Sequence, residues 1–509
     1  MGSKTTFGPF VLDRERRQLM RGSQAVPVGH RGYTLLETLV DAQGEPVSRE
    51  TLMERVWPGT IIEEGSLTVQ VSALRRQLGD DAGAVIVTVP RVGYRLVKQP
   101  ETLPAEVSGP PLIAVLPFAN YGNAPEDGYF ADGIVDDIIT ALSRFKTFAV
   151  LSRGSTVSLR ERGTEVRTAA AELGVRYALE GSVRRMDDKL RVTAQLVDAT
   201  AGTPLWADRY DGVLADVFSF QDRITQSVAG VIEPAIQKAE IERVRRKPAA
   251  SVDAYDLYLR ALPLVLAPGP EGHVEAIELL GRAAALDPSF ALPRAYAALI
   301  YETRMSLRVP PLGDRDVETG RELARQALAV GGDDPLVRAI CGYVLFRLDN
   351  DLSAIEALRS AVRDNPNNVA ILTHAAEGVG MYGSLEESIE FHSRAYALSP
   401  GSALAYTNLW GLAGSNFALG NYQAAIEWSR RSLATFKDLI YNYVCLAGSY
   451  AALDQIEEAR AMASRALEIN PGLTIKLIED GAAGKSDPFA AAIVPWLRKI
   501  GFPERQRGD

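Results

Sequence analysis

The chain has 509 residues, of which 47% are hydrophobic and 23% charged, and it carries a net charge of −9. That length predicts about three domains, and the composition of a globular protein with room for a large core excludes a disordered chain. Its two cysteines, Cys341 and Cys445, sit in apolar helical patterns, and the four histidines show no ligand spacing, so no disulfide framework, metal or cofactor is expected.

The charge is unevenly placed. Residues 1–98 hold 13 Lys and Arg against 11 Asp and Glu, a balance of +2, and the remainder carries −11. One mildly cationic domain ahead of phosphate-repelling ones fits a chain that touches nucleic acid at its N-terminal end. No apolar run reaches the ~18 residues of a membrane span, and MGSKTTFGPFVLD lacks a signal-peptide core. A cytoplasmic location with no membrane contact is expected.

Residues 1–98 form the first predicted unit. Its first 30 residues alternate and turn often, which predicts a small antiparallel sheet. A helix from about Gly32 to Ala42 buries Leu35, Leu36 and Leu39; a second, Arg49 to Val56, buries Leu52, Val56 and Trp57 and stops at Pro58-Gly59. The third predicted helix, Ser66 to Leu78, places Leu67, Val71, Leu74 and Leu78 on one face. Its opposite side carries Thr68, Val69, Ser72, Ala73 and Arg76, with Arg75 on the flank. A small, polar face beside two guanidiniums suits a major groove, where Arg bonds guanine bidentately or clamps a phosphate; the sequence leaves both open. The hairpin IVTVPRVGYRL follows, with Thr88 and the tip residue Arg91 as backbone or minor-groove contacts. Gly93 is expected to relax the turn, and Tyr94, counted with Thr88 and Arg91 among the DNA contacts, to cap the core with its hydroxyl outward. Helix, helix and hairpin in this order describe a winged helix-turn-helix.

Residues 99–111 (QPETLPAEVSGPP) read as a linker, and 112–236 as an α/β layer domain. Strands are predicted at LIAVLPF and FAVLSRGS, and a hairpin where RYALEGSVRR and KLRVTAQLVD flank Met186-Asp187-Asp188, with PLWADRYD after it. Helices are predicted at GYFADGIVDDIITALSRF, VRTAAAELGV and FSFQDRITQSVAGVIEPAI, the last burying Phe220, Ile224 and Val228. Asp132, Asp136 and Asp137 are read as first-turn acids that complement a helix dipole, against a functional reading as the wall of a ligand cleft. Glu180 with Arg184 and Arg185 reads as a cross-strand or surface charge set. No phosphate loop and no catalytic triad is legible, so no catalytic residue is assigned.

A charged helical connector spans 237–250, and 251–509 is wholly helical and repetitive. Pro288, Pro335, Pro366, Pro400 and Pro471 are spaced by 47, 31, 34 and 71 residues, the last about twice 35 with the missing break near Phe436. A period near 34 predicts a tetratricopeptide solenoid of five or six helix pairs, with 308–316 inserted in the long interval. Its groove residues Tyr406, Asn408, Trp410, Asn442 and Tyr443 are candidate partner contacts, though packing is the commoner role for such aromatics.

Trp57-Pro58, SALRRQL and TVPRVGYRL closely resemble the OmpR/PhoB-type winged helix, and the VPxxGY form resembles the CadC, ToxR and HilA branch. The resemblance covers residues 5–98, about a fifth of the chain. It implies sequence-specific transcriptional regulation on double-stranded promoter DNA. Two departures stand out: no receiver domain precedes the winged helix and no membrane span follows it, so neither phosphoacceptor control nor transmembrane sensing is expected. Ala73 stands where several relatives have Arg, so the preferred DNA sequence is expected to differ. YFADGIVDDIITALSRF, LGVRYALEGSVRR and TPLWADRYD resemble the TolB N-terminal-like module, which with tetratricopeptide repeats also follows class III adenylate cyclase domains. The overall expectation is a multidomain α+β chain: winged helix, α/β layer and all-α solenoid. Its function is expected to be a one-component regulator that is not an enzyme, with RNA polymerase or another protein at the repeats and a homo-oligomer possible. The alternative is a tetratricopeptide scaffold or cyclase-type signalling protein.

Overall fold

The structure, a computed structural model, describes residues 4–7, 10–21, 24–42, 44–60, 64–78, 86–89, 92–96, 109–121, 125–156, 174–247, 252–307, 309–480 and 487–505. The chain divides into two units, Met1–Val107 and Ser108–Asp509.

In the first unit, β1 (Lys4–Phe7), β2 (Phe10–Asp13), β3 (Gln18–Arg21) and β4 (Gln24–Val26) form the expected antiparallel meander. Phe10, Leu12 and Leu19 point from it into the core. Helix α1 (His30–Asp41) starts two residues before its expected position. Helix α2 (Arg49–Val56) is fixed by its cap: the Ser48 hydroxyl accepts from the Thr51 N–H at 3.1 Å. Helix α3 runs Glu64–Leu78. A small sheet closes the unit in the order β5 (Val47–Ser48), β7 (Gly93–Leu96), β6 (Ile86–Val89). Gly93 is required there for a reason other than the expected one. Its φ is not in the left-handed region; a Cβ would instead lie 2.0 Å from the Val47 carbonyl oxygen, so the close approach of β5 to its sheet neighbour β7 demands glycine.

The second unit begins with a mixed sheet in the order β10 (Ala149–Val150), β8 (Leu112–Val115), β11 (Tyr177–Met186), β12 (Lys189–Asp198), β13 (Thr203–Val213), with β9 (Ala119–Asn120) beside β11. The β11–β12 turn falls at the expected residues, with Asp187 at φ 56°. Helices α4 (Pro125–Leu142) and α5 (Val217–Arg245) bury Ile134, Val135, Ile138, Phe220, Ile224 and Val228 against one side of the sheet. The expected helix VRTAAAELGV lies almost wholly outside the described residues. Helix α5 does not stop near 236 but runs unbroken through Pro234 to Arg245. What holds its far end is a buried ionic cluster. Glu240, fully buried, accepts from Arg176 at 2.7 Å and from the Tyr177 hydroxyl at 2.7 Å, and Arg243 bridges it to Asp256 of the first repeat helix, each at 3.1 Å.

Among the described residues the repeats form six antiparallel helix pairs, starting at Ala254–Val265 with His273–Leu286 and ending at Ile440–Ala452 with Ile456–Ile469. Ala276, Ala295, Ala324, Ala361, Ala395, Ala425 and Ala459 are fully buried, because only a methyl fits where the helices cross. Asp334 caps the helix Pro335–Asp349 through the Leu336 N–H at 2.8 Å. The missing proline break is at Phe436, which ends the helix Tyr422–Thr435. The segment inserted after Ser306 lies inside the second pair. A last helix, Pro488–Lys499, lies against the first helices of the last three pairs and shares a core with Phe417 and Val444.

Candidate nucleic-acid interface

Helix α3 is bound to its unit by one stripe. Leu67, Val71, Leu74 and Leu78 are buried in the core with Leu36, Leu52 and Trp57. The opposite side is open: Thr68, Ser72 and Arg76 are exposed, and Val69 is 71% exposed. Val69 thus stands among small polar groups on the side of the helix turned away from the core. Arg76 has no partner among the described residues. Ala73 is half-buried.

Arg75 is placed differently from its neighbour. Its Nε and Nη2 both donate to the Ile86 carbonyl oxygen, at 2.9 and 2.5 Å, and Nη2 also reaches the Thr88 hydroxyl at 3.0 Å. The guanidinium therefore ties α3 to β6. Thr88 is exposed but accepts from Arg75. Arg91 lies outside the described residues. Tyr94 is 4% exposed and packed in the core, opposite Thr88 in the β6–β7 register. The Arg49 N–H donates to the Val92 carbonyl, which ties the turn end of the hairpin to the start of α2. Arg95, opposite Val87, is exposed on the same hairpin. It was not singled out by sequence, yet the alternation in Gly93–Leu96 puts it on the outer face.

In the second unit the acidic trio is paired. Asp132 and Asp136 lie in mid-helix rather than in a first turn, because α4 begins at Pro125. Arg153 bridges them, at 2.9 Å to Asp132, and Asp137 accepts from Gln221. Burial raises the Glu180 carboxyl above its ordinary range. Arg184 stacks 5.0 Å over the Tyr121 ring, and Arg185 donates to the Asp187 carbonyl at 3.0 Å. A cleft of about 840 Å³ opens between the α/β layer and the fourth helix pair, walled by Asp137, Arg144, Tyr210, Arg223, Glu390 and Arg394. Among the described residues no group of His, Cys, Asp and Glu could hold a metal ion, and no helix is long and apolar enough to cross a membrane.

The groove candidates of the repeats are used internally. Asn408 bonds Thr373 and His392, and Asn442 donates to the Ser432 hydroxyl at 2.8 Å. Trp410 packs on Tyr441 and Phe489, Tyr406 on Phe436, and the Tyr443 hydroxyl donates to the Lys437 carbonyl at 2.9 Å.

Comparison with known proteins bears on both ends of this description. Residues 23–96 match the family "Transcriptional regulatory protein, C terminal", and residues 110–226 match "HilA/YgeH-like transcriptional regulator, second domain". The chain is 23% identical to the transcriptional regulator HilA of Salmonella typhimurium over 419 residues, 80% of this chain and 73% of that protein. It is 38% identical to the transcriptional regulatory protein CutR of Streptomyces coelicolor over 86 residues, 17% of this chain and 39% of that one. It is also 36% identical, over 232 residues, to a Rhizobium meliloti protein named "Putative adenylate cyclase 3". That alignment takes in 46% of this chain and only 40% of the relative. Residues 23–96 are thus an OmpR/PhoB-type winged helix of the transcriptional regulators, and residues 110–226 are a HilA-like second domain.

Proposed function

We propose that the chain is a sequence-specific, one-component regulator that lays α3 in the major groove of promoter DNA. Thr68, Val69, Ser72 and Arg76 read base edges, and the hairpin with Thr88, Arg91 and Arg95 follows the neighbouring backbone. Arg75 is a positioning residue in this scheme: it sets the angle between recognition helix and wing. The observation that carries the reading is the division of α3 into a fully buried stripe and an unpartnered polar side with an exposed valine. The α/β layer and the repeats receive a signal, with the cleft between them as the place for a small ligand. They also support self-association and contact with RNA polymerase or another protein, in the cytoplasm. The chain is not an enzyme on this reading. Duplex selection from a random pool, followed by binding of the selected site, tests it: Arg76→Ala should cost about 1–3 kcal/mol of affinity. Undiminished binding by the Arg75→Ala, Arg76→Ala double variant overturns the role of α3.

The cyclase-named relative gives the alternative its one observation. Shared accessory modules account for that similarity. Incubation of the full chain with ATP separates the two: cyclic nucleotide formation would favour the signalling enzyme.

A further inference from the structure

Two ionisable side chains are buried at one corner of the first two helix pairs without the partners that burial demands. His273, the first residue of the helix His273–Leu286, is 1% exposed, and neither of its ring nitrogens has a hydrogen-bond partner among the described residues. Arg304, in the last turn of the helix Leu292–Ser306, is 9% exposed. Its Nη2 donates to the Pro310 carbonyl, while its Nε–H is buried and unpartnered. The fold places the two together. Their helices, 14 and 15 residues long, are consecutive and packed antiparallel across residues 287–291, so the first turn of one lies beside the last turn of the other. The Arg304 charge accordingly adds to burial in lowering the His273 pKa.

A buried guanidinium needs a carboxylate or another anion. Arg347 has one: it meets Glu302, of the same helix Leu292–Ser306, at 2.8 Å. Arg304 makes no ion pair among the described residues. Glu271 and Glu275 beside it in sequence to His273 are exposed, and Asp316 accepts the Leu312 and Gly313 N–H groups at 2.8 and 3.0 Å. The carbonyl end of a helix favours a cation, which explains why an arginine stands there, but it gives Nε no acceptor. The helix His273–Leu286 begins after Gly272 with no side-chain cap, so its first N–H groups add positive potential. We propose that this corner binds a small monovalent anion of halide size, which accepts from the Arg304 Nε–H and from the N–H of the His273 ring. The size follows from enclosure: Nε and both ring nitrogens are shut off from solvent, which leaves no opening for a phosphate ester or a partner's side chain. The ion would tie the first pair to the inserted segment, whose Pro310 carbonyl Arg304 already holds. The site is separate from α3 and from DNA binding.

The test uses the full chain with sodium bromide as the probe. Thermal midpoints are compared in bromide and in sodium gluconate, whose anion is too large to be enclosed, at matched ionic strength. The proteins are the wild type, Arg304→Met and His273→Phe; reading the difference between proteins cancels the general effects of the two salts. The wild-type midpoint should rise with bromide and saturate. In Arg304→Met the bromide dependence should be weakened at least about tenfold, and His273→Phe should weaken it in the same direction. In gluconate Arg304→Met should melt no lower than the wild type, because an uncompensated buried charge has been removed. An arginine needed only to hold Pro310 would instead make the variant melt lower by the same margin in both salts, and that result overturns the proposal. Anomalous scattering from bromide in crystals of the full chain should place the ion between His273 and Arg304. No bromide at this corner overturns the proposal, and bromide there without the solution response marks an adventitious ion only and overturns it equally.

Discussion

The outer side of α3 and the buried polar clusters of the second unit use similar residue types to opposite ends. Thr68, Ser72 and Arg76 are polar groups with water as their surroundings. Asn408, Asn442 and Glu240 are buried polar groups that bond to other groups of the chain. The difference comes from architecture. A helix on the surface of a small domain needs one apolar stripe and leaves its other side empty. A first helix of a repeat pair is flanked by its own partner and by the pairs before and after, and several of its polar residues become internal. Residue type therefore nominates a contact, and only the packing of the neighbours decides whether the contact is internal or external.

The largest effect expected from this contrast is on stability. Glu240→Ala would leave Arg176 and Arg243 facing a buried gap, and removal of one partner from a buried ion cluster costs about 3–5 kcal/mol. Urea unfolding of the second unit's signal should show it. A variant that melts like the wild type would mean that the cluster is not internal in the sense argued. Arg76→Ala should invert the pattern: within about 0.5 kcal/mol in stability, but with a marked loss of DNA affinity and a salt slope about one unit shallower if the contact is a phosphate. Arg75→Ala should fall between them. It loses the bonds to Ile86 and Thr88, a destabilisation of about 1.5 kcal/mol, and weakens DNA binding only through the wing. Equal behaviour of the two arginine variants in both assays would remove the division of labour.

Much of this was legible in the sequence. The 4, 3, 4 spacing from Leu67 to Leu78 predicts the buried stripe of α3, and the proline period predicts five or six stacked pairs with a break near Phe436. Three features were not legible, each for a physical reason. That Arg75 holds the wing depends on how closely β6 approaches α3, a tertiary distance with no trace in local pattern. The demand for glycine at position 93 comes from the Val47 carbonyl of a strand 46 residues earlier, not from the turn. The Asp132 and Asp136 pair looked like dipole acids because the start of α4 was placed at Gly128, while their true partner, Arg153, follows an intervening strand. Side-chain chemistry was readable; pairing across elements was not.

The smallest effect concerns pH and the buried histidine of the fourth pair. His392 is 1% exposed, and its Nδ1–H donates to the Asn408 amide oxygen at 2.9 Å. Burial lowers its pKa below the ordinary value, against the opposing Asn408 bond. The unfolded chain then binds a proton at a pH where the folded chain does not, so stability must rise with pH in that window. The contribution is complete above the unfolded value of about 6.5 and is lost as the pH falls from there toward the lower folded pKa. The limiting slope for one site is about 1.4 kcal/mol per pH unit. His392→Gln keeps a polar group beside Asn408 without a titrating ring, so its denaturation midpoints should be flatter than the wild type's between pH 6.5 and the folded pKa. His273, whose pKa burial also lowers, contributes a second slope in the same direction that the substitution leaves in place. Identical pH profiles for the two proteins would show that His392 is hydrated or already protonated in the folded state, and would move it from the internal class of polar groups to the external one.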